Sequence, residues 1–355
     1  VTEAERVEAL LQHKRPDRVA VWPFGSASGF AATCAGISMA EIYNSPLKAL
    51  DVQRKASRDF GWAIVPMLGY ASFGGWEFGG DIKWPDSEFS QAPLLTRHAV
   101  QNEEDAWKLK RPDVTTAGII PLQLEFYRLA LLEKPDNEPF SFIAFIGGPF
   151  TAVTNICGMN TLARWLVKKP AVVHHLLRLA TDFEIELTKY LAALFGTERA
   201  LPFCGEASTD NRLISPKIFA ELALPYNLEL HQHILAQGFK HVLCHICGEQ
   251  NANLSHWSKV PMGDPGIVSI GHEIPLIKAA EYFPHDIIMG NLEPVIIQEK
   301  TVDEVYQRAK KVLDEGLKLT SGFIFSPGCG IPPHSPAANV MAMTRAVNDS
   351  GWYKR

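Results

Sequence analysis

With 355 residues, 46% of them hydrophobic and 21% charged, the chain has the make-up of a globular protein of one large domain or two small ones. A net charge of -5, spread without long blocks of one sign, argues against nucleic acid or an anionic membrane surface as a partner. Six cysteines are too few for a disulfide scaffold, and no apolar run is long enough to span a bilayer, so a cytoplasmic protein is expected.

The first element is a helix. Val1-Thr2-Glu3-Ala4-Glu5 is polar, unlike a secretory leader, and Thr2-x-x-Glu5 is a capping box that satisfies free amides at a helix start. Two β-rich runs follow, Arg18–Trp22 and Trp62–Pro66. The next segment, from about Tyr70 to Pro139, is too long for a simple crossover and is expected to be an insertion over one end of the fold. It is rich in aromatic residues: with the neighbouring Trp62 they are Tyr70, Phe73, Trp76, Phe78 and Trp84. They suit either a packed lid or an aromatic-lined pocket.

The third run is Phe142–Ile146. A helix is expected from Ala171 to Leu194, with Val172, Val173, Leu176, Leu177, Leu179 and Ala180 at helical spacing. Its charges, Asp182, Glu184, Glu186 and Lys189, suit a solvated outer face. Further strands are expected at Ala200–Cys204, His241–Cys244, Ile267–Ile270, Asp286–Met289 and Gly322–Phe325. Helix starts are signalled by Ser215-Pro216, Thr301-x-x-Glu304 and Ser335-Pro336. Eight strands alternating with helices predict a parallel sheet closed into a (β/α)8 TIM barrel, one domain over residues 1–355 with an insertion near 70–139. An open doubly wound sheet is the alternative.

Barrels do chemistry at the C-terminal ends of their strands. His245 and Cys247 follow the fifth run and Cys329 the eighth, and one imidazole with two thiols makes three good zinc ligands with a fourth place open. His272 or Glu273 after the sixth run, or Glu206 after the fourth, could fill that place. Glu206 and Asn291, which follows the seventh run, are the candidate catalytic residues of the same rim. Two thiolates and a neutral imidazole cancel the charge of Zn²⁺, which favours holding a thiolate nucleophile over strong Lewis acidity. Cys34 and Cys157 read as packing residues, and Cys204 and Cys244 as core or outer-shell groups.

The succession Gly148-Pro149-Phe150-Thr151, Ile214-Ser215-Pro216 through Leu224-Pro225-Tyr226, His245-Ile246-Cys247-Gly248, Met289-Gly290-Asn291-Leu292-Glu293-Pro294 and Gly328-Cys329-Gly330-Ile331-Pro332-Pro333 resembles the uroporphyrinogen decarboxylase superfamily along nearly the whole chain. The decarboxylases carry arginines after the first strand that bind porphyrinogen carboxylates; here no Lys or Arg occurs from Val19 to Leu47. The chain is more similar to the zinc methyltransferase branch, whose His-x-Cys and distant Cys fall on His245, Cys247 and Cys329. The resemblance implies zinc, and methyl transfer between a corrinoid and a small molecule. A thiol acceptor is slightly favoured; the alternative is an O-demethylase-type transfer from a methyl ether, an aromatic one if the aromatic cluster forms a pocket, to a cobalt(I) corrinoid. A tetrapyrrole decarboxylase and a non-catalytic zinc-binding barrel are less favoured. His245-Ile246-Cys247-Gly248 contains His-x-x-Gly, but Leu243 stands where a corrinoid-binding motif needs Asp. The corrinoid is therefore expected on a partner protein. The first loop has no cation for a sulfonated acceptor; Arg164, Arg212 and Lys217 could supply one from elsewhere.

Overall fold

A computed structural model describes residues 1–87 and 92–354. Nine strands occur among them: β1 Ala20–Val21, β2 Asp81–Lys83, β3 Leu94–Arg97, β4 Phe142–Gly147, β5 Ala200–Glu206, β6 Leu243–Ile246, β7 Ile267–Ile270, β8 Ile287–Leu292 and β9 Phe323–Pro327. Seven form one parallel sheet in the order β1-β9-β8-β7-β6-β5-β4, and β2 pairs with β3 as a separate antiparallel hairpin. Helices connect the parallel strands, and β4, β6, β7 and β9 are buried along their whole length, as expected when helices cover one face and a filled interior the other.

The expected second strand takes a different form. Trp62–Pro66 is extended but is not a regular strand. It still bridges the two ends of the sheet: Ala63 N donates to Val21 O at 2.9 Å, and Ile143 N donates to Pro66 O at 2.8 Å. Between those bonds Ile64 N turns to Asn137 O. Its backbone is thus shared with a loop, which interrupts the ladder while leaving the (β/α)8 barrel closed.

The segment 70–139 divides in two. The first part carries the separate hairpin, while the helix Ile120–Leu132 belongs to the barrel wall. Tyr127 of that helix stacks on Phe142 at 4.3 Å, and its hydroxyl accepts from Phe145 N. Residues 88–91 of the expected insertion lie outside the described residues. Capping boxes form at Thr2 and Thr301, and the Ser215 hydroxyl accepts from Ile218 N. Ser335 does not cap as expected. The helix Ala337–Ser350 starts behind Pro336 without a side-chain cap, and the Ser335 hydroxyl is buried with no partner.

The helix Pro170–Phe195 corrects another expectation. Asp182 and Glu186 are partly exposed and form ion pairs with Arg178 and Arg111. Glu184 is 1% exposed. It lies on the stripe of Val173, Leu177, Ala180 and Leu191 that faces the barrel. A charged residue in an alternation of polar positions reads as solvated, but the helical angle turns this one inward.

Candidate metal and substrate site

The trio, from two stretches of sequence, does meet. Ligand atoms of His245, Cys247 and Cys329 lie within 4.8 Å of one another, the one group of three or more potential metal-ligating side chains among the described residues. Glycines make the approach possible. Gly248 has φ +75°, and a side chain there would run into the Asp210 carboxylate. A Cβ on Gly328 would stand 2.8 Å from His272 N, and one on Gly271 would stand 3.1 Å from Gly248 N. The loops after β6, β7 and β9 therefore touch backbone to backbone, which brings Cys329 to Cys247.

His245 is buried, and its Nδ1 lies 2.9 Å from Ser269 Oγ, its neighbour across the β6–β7 ladder. Its Nε2 is buried with no hydrogen-bond partner. That unpartnered nitrogen beside two thiols fits a metal: in the tautomer whose Nδ1–H donates to Ser269, the Nε2 lone pair is free to coordinate. Phe24 stacks on the ring at 4.0 Å and fixes its plane. Cys247 and Cys329 form a coupled pair. The hydrogen bond from Cys247 pulls the Cys329 thiol well below its ordinary range, helped by His245 against burial, and the same bond pushes Cys247 up. One thiolate forms readily and its charge resists the second, a resistance that a divalent cation removes.

The trio closes one end of a cavity of about 240 Å³, smaller than the roughly 300–1,000 Å³ of drug-sized sites. Its walls are Phe24, Tyr70, Phe73, Phe145 and Phe203, with Met39, Met67 and the glycines 147, 148 and 205. Among the described residues no Lys, Arg, Asp or Glu lines it. Of the expected aromatic cluster, Tyr70 and Phe73 face the cavity. Trp84 stacks on Tyr43 and meets Trp76 edge-on, Phe78 packs on Phe183, and Trp62 lies on Phe60 and donates to Thr344. Arg212 pairs with Asp210 and Glu273, Lys217 with Glu221, and Arg164 reaches Thr161. None of the three is a wall residue.

The remaining rim candidates are otherwise engaged. Glu206, 1% exposed, accepts four hydrogen bonds: from Phe150 N and Asn227 on Oε1, and from Thr151 N and Thr151 Oγ1 on Oε2. It caps the helix Pro149–Cys157 behind the cavity wall. Burial pushes its carboxyl up against those four bonds. Asn291 donates to Gly271 O and Ile274 O and ties down the loop after β7. His272 and Glu273 stand outside the ligand cluster. Glu273 faces Arg212, and its charge still raises the Cys247 thiol. Sequence reasoning missed Phe24 and Ser269. Ser269 would have required the β6–β7 register, and Phe24 the path of the first loop.

A closed parallel barrel with a His-Cys-Cys cluster at its catalytic rim defines a class. The chain belongs to the uroporphyrinogen decarboxylase family, whose model matches residues 2–350. It is 30% identical over 273 residues to methylcobamide:CoM methyltransferase MtbA of Methanosarcina acetivorans, covering 77% of this chain and 75% of that one. It is 23% identical to uroporphyrinogen decarboxylase of Anaeromyxobacter dehalogenans, covering 98% and 99% of the two chains. A solved methyltransferase from Methanosarcina mazei has the same fold, with a TM-score of 0.82 at 20% identity over 98% of each chain. No helix of the described residues is long and apolar enough to cross a membrane.

Proposed function

We propose that this chain, a single domain over residues 1–355, is a zinc-dependent methyltransferase. It moves a methyl group between a corrinoid, carried by a partner protein, and a small uncharged molecule. The observation that carries the reading is the trio itself: three thiophilic ligands, one orphaned imidazole nitrogen, at the end of a small apolar cavity. His245 Nε2, Cys247 Sγ and Cys329 Sγ would hold the ion, leaving one place for the substrate. Bound there, zinc stabilises the substrate's thiolate or polarises its heteroatom.

The rest of the chemistry belongs to the protein. Ser269 keeps the His245 tautomer that presents Nε2. Phe24 and Phe203 exclude water from the ligand side, and Tyr70 and Phe73 from the opposite wall. Glu206 and Asn291 act as positioning residues, Glu206 by fixing Thr151 on the cavity wall and Asn291 by fixing the loop beside Gly248. A polyanionic porphyrinogen meets no cation on these walls, which argues against decarboxylation. A thiol acceptor is the first reading, supported by the two-thiolate ligand set and the named reaction of the methyltransferase relative. The apolar walls favour a second: a neutral methyl ether giving its methyl to the reduced corrinoid.

The test is methyl transfer from methylcobalamin to 2-mercaptoethanol and, in reverse, from small methyl ethers to cob(I)alamin. Native zinc-loaded protein should turn over one of these. Cys247→Ser or Cys329→Ser should lower the rate by at least about 100-fold. Undiminished activity in both variants would falsify the zinc-thiolate reading.

A further inference from the structure

The walls of the cavity carry a few hydroxyls, and their protons are already committed. Thr151 Oγ1 donates to Glu206 Oε2 at 2.7 Å and accepts from Ser208 N at 3.1 Å. Those directions are forced. Phe150 N and Asn227 donate to Glu206 Oε1, and Thr151 N donates to Oε2, so both carboxyl oxygens act as acceptors. Ser208 N can only donate, and it occupies one lone pair of the hydroxyl. One lone pair of Thr151 Oγ1 is left, and no proton. Neither Glu206 nor Ser208 lines the cavity, so both existing bonds run behind the wall and the remaining lone pair is on the cavity side. Two other wall hydroxyls are spent in the same way. Ser28 donates to Gly25 O at 3.0 Å, and Tyr70 donates to the buried Glu77 carboxylate at 2.7 Å. These three hydroxyls can accept a hydrogen bond from a ligand and cannot give one.

We propose that Thr151 Oγ1 is a specificity-determining acceptor, and that the substrate carries a hydrogen-bond donor, a hydroxyl or an amide N–H, at the end remote from its reacting heteroatom. This rests on the methyltransferase reading and adds the chemistry of the non-reacting end. The placement suits it. Gly205 of β5 stands opposite His245 of β6, and β4 is the next strand round. Thr151 lies in the first turn of the helix Pro149–Cys157 that follows β4. Two strand spacings put the backbones of His245 and Thr151 roughly 10 Å apart. Their side chains shorten that gap, so a molecule held at the His245 end reaches Thr151 after a few bonds.

Among apolar walls this one acceptor discriminates. A donor that enters gives up its water and regains a bond at Thr151. An end that only accepts, such as a sulfonate, a carboxylate or an ether oxygen, meets a lone pair instead and is disfavoured. The same hydroxyl therefore selects for an alcohol or amide and against an anionic tail.

The test compares ω-hydroxythiols of increasing chain length with alkanethiols of the same lengths. Affinity is read from the thiolate-to-metal charge-transfer band of the cobalt(II)-substituted full chain, and turnover from methylcobalamin with the zinc-loaded one. At one chain length Thr151→Val should weaken the hydroxythiol about 10-fold while leaving the alkanethiol unchanged, and Thr151→Ser should keep the native affinity for both. Unchanged alkanethiol binding reports an intact site. Equal losses for both series in Thr151→Val, or no loss at any length, would overturn the proposal. Methyl transfer to thiols without that selective loss would overturn the role of Thr151 and leave the methyltransferase standing. The selective loss in binding, with no methyl transfer to any thiol or from any methyl ether, would overturn the methyltransferase and leave the acceptor role standing. No thiolate band with any thiol would overturn the proposal and the thiol reading together.

Discussion

At His245 the chemistry depends on which ring nitrogen carries the proton. Ser269 Oγ, 2.9 Å from Nδ1, is placed to accept the Nδ1 proton and so to support the tautomer that leaves Nε2 free. Ser269→Ala should weaken zinc binding about 10- to 100-fold in a competition titration with a chelator, with the fold unchanged by circular dichroism. Unaltered affinity would remove the serine from the metal site. Gly248 tests the loop geometry in the same way. Gly248→Ala places a side chain at φ +75° against Asp210, at a cost of about 1–3 kcal/mol that urea unfolding should register. Asp210 should feel it too: burial works to raise its carboxyl, but bonds from Arg212 and Glu249 N hold it below the ordinary range. The trio was legible in the sequence because its residue types announce their chemistry. The environment of Glu206 and Asn291 was not, because a position at a strand end does not tell whether a side chain faces the cavity or the wall behind it.

At the scale of elements, strands read better than their interruptions. Ile267–Ile270 falls on its expected bounds, and β4 and β9 begin at or within one residue of theirs, since continuous apolar β-branched runs mark buried parallel strands. Trp62–Pro66 has the same composition, yet its backbone divides its bonds among Val21, Asn137 and Ile143. Only tertiary contacts decide that. Glu184 was misread for the reverse reason: local polarity outweighed helical phase. The helix Leu224–Ala236 offers a pH test. Its His231 is buried, with Nδ1 2.9 Å from Pro261 O, and burial pushes the imidazole down to about 4. A folded value below the unfolded one, about 6.5, means stability is full above that pH and is lost as pH falls towards 4. Between those limits the native protein should lose about 1.4 kcal/mol per pH unit relative to His231→Gln, read from urea midpoints. Parallel pH profiles for the two proteins would show that the histidine is not buried neutral.

For the whole molecule, the barrel supplies what no single segment has. Ligands lying 82 residues apart in sequence are brought together because β6 and β9 end on the same rim, and Tyr70, Ala71, Phe73 and Ala92 add walls to a cavity that neither strand could enclose. The alternation of strands and helices disclosed the barrel. The size of the cavity and the absence of charge on its described walls did not show, because the wall residues come from many separate segments. The most direct measurement of the central claim is zinc-edge X-ray absorption on the metal-loaded protein, with and without a small thiol. The expected result is one nitrogen and two sulfur ligands from the protein with a light fourth neighbour, and a third sulfur when the thiol is added. A metal held by four protein ligands, unchanged by thiols and by small methyl ethers alike, would contradict the open site on which the proposed methyl transfer depends.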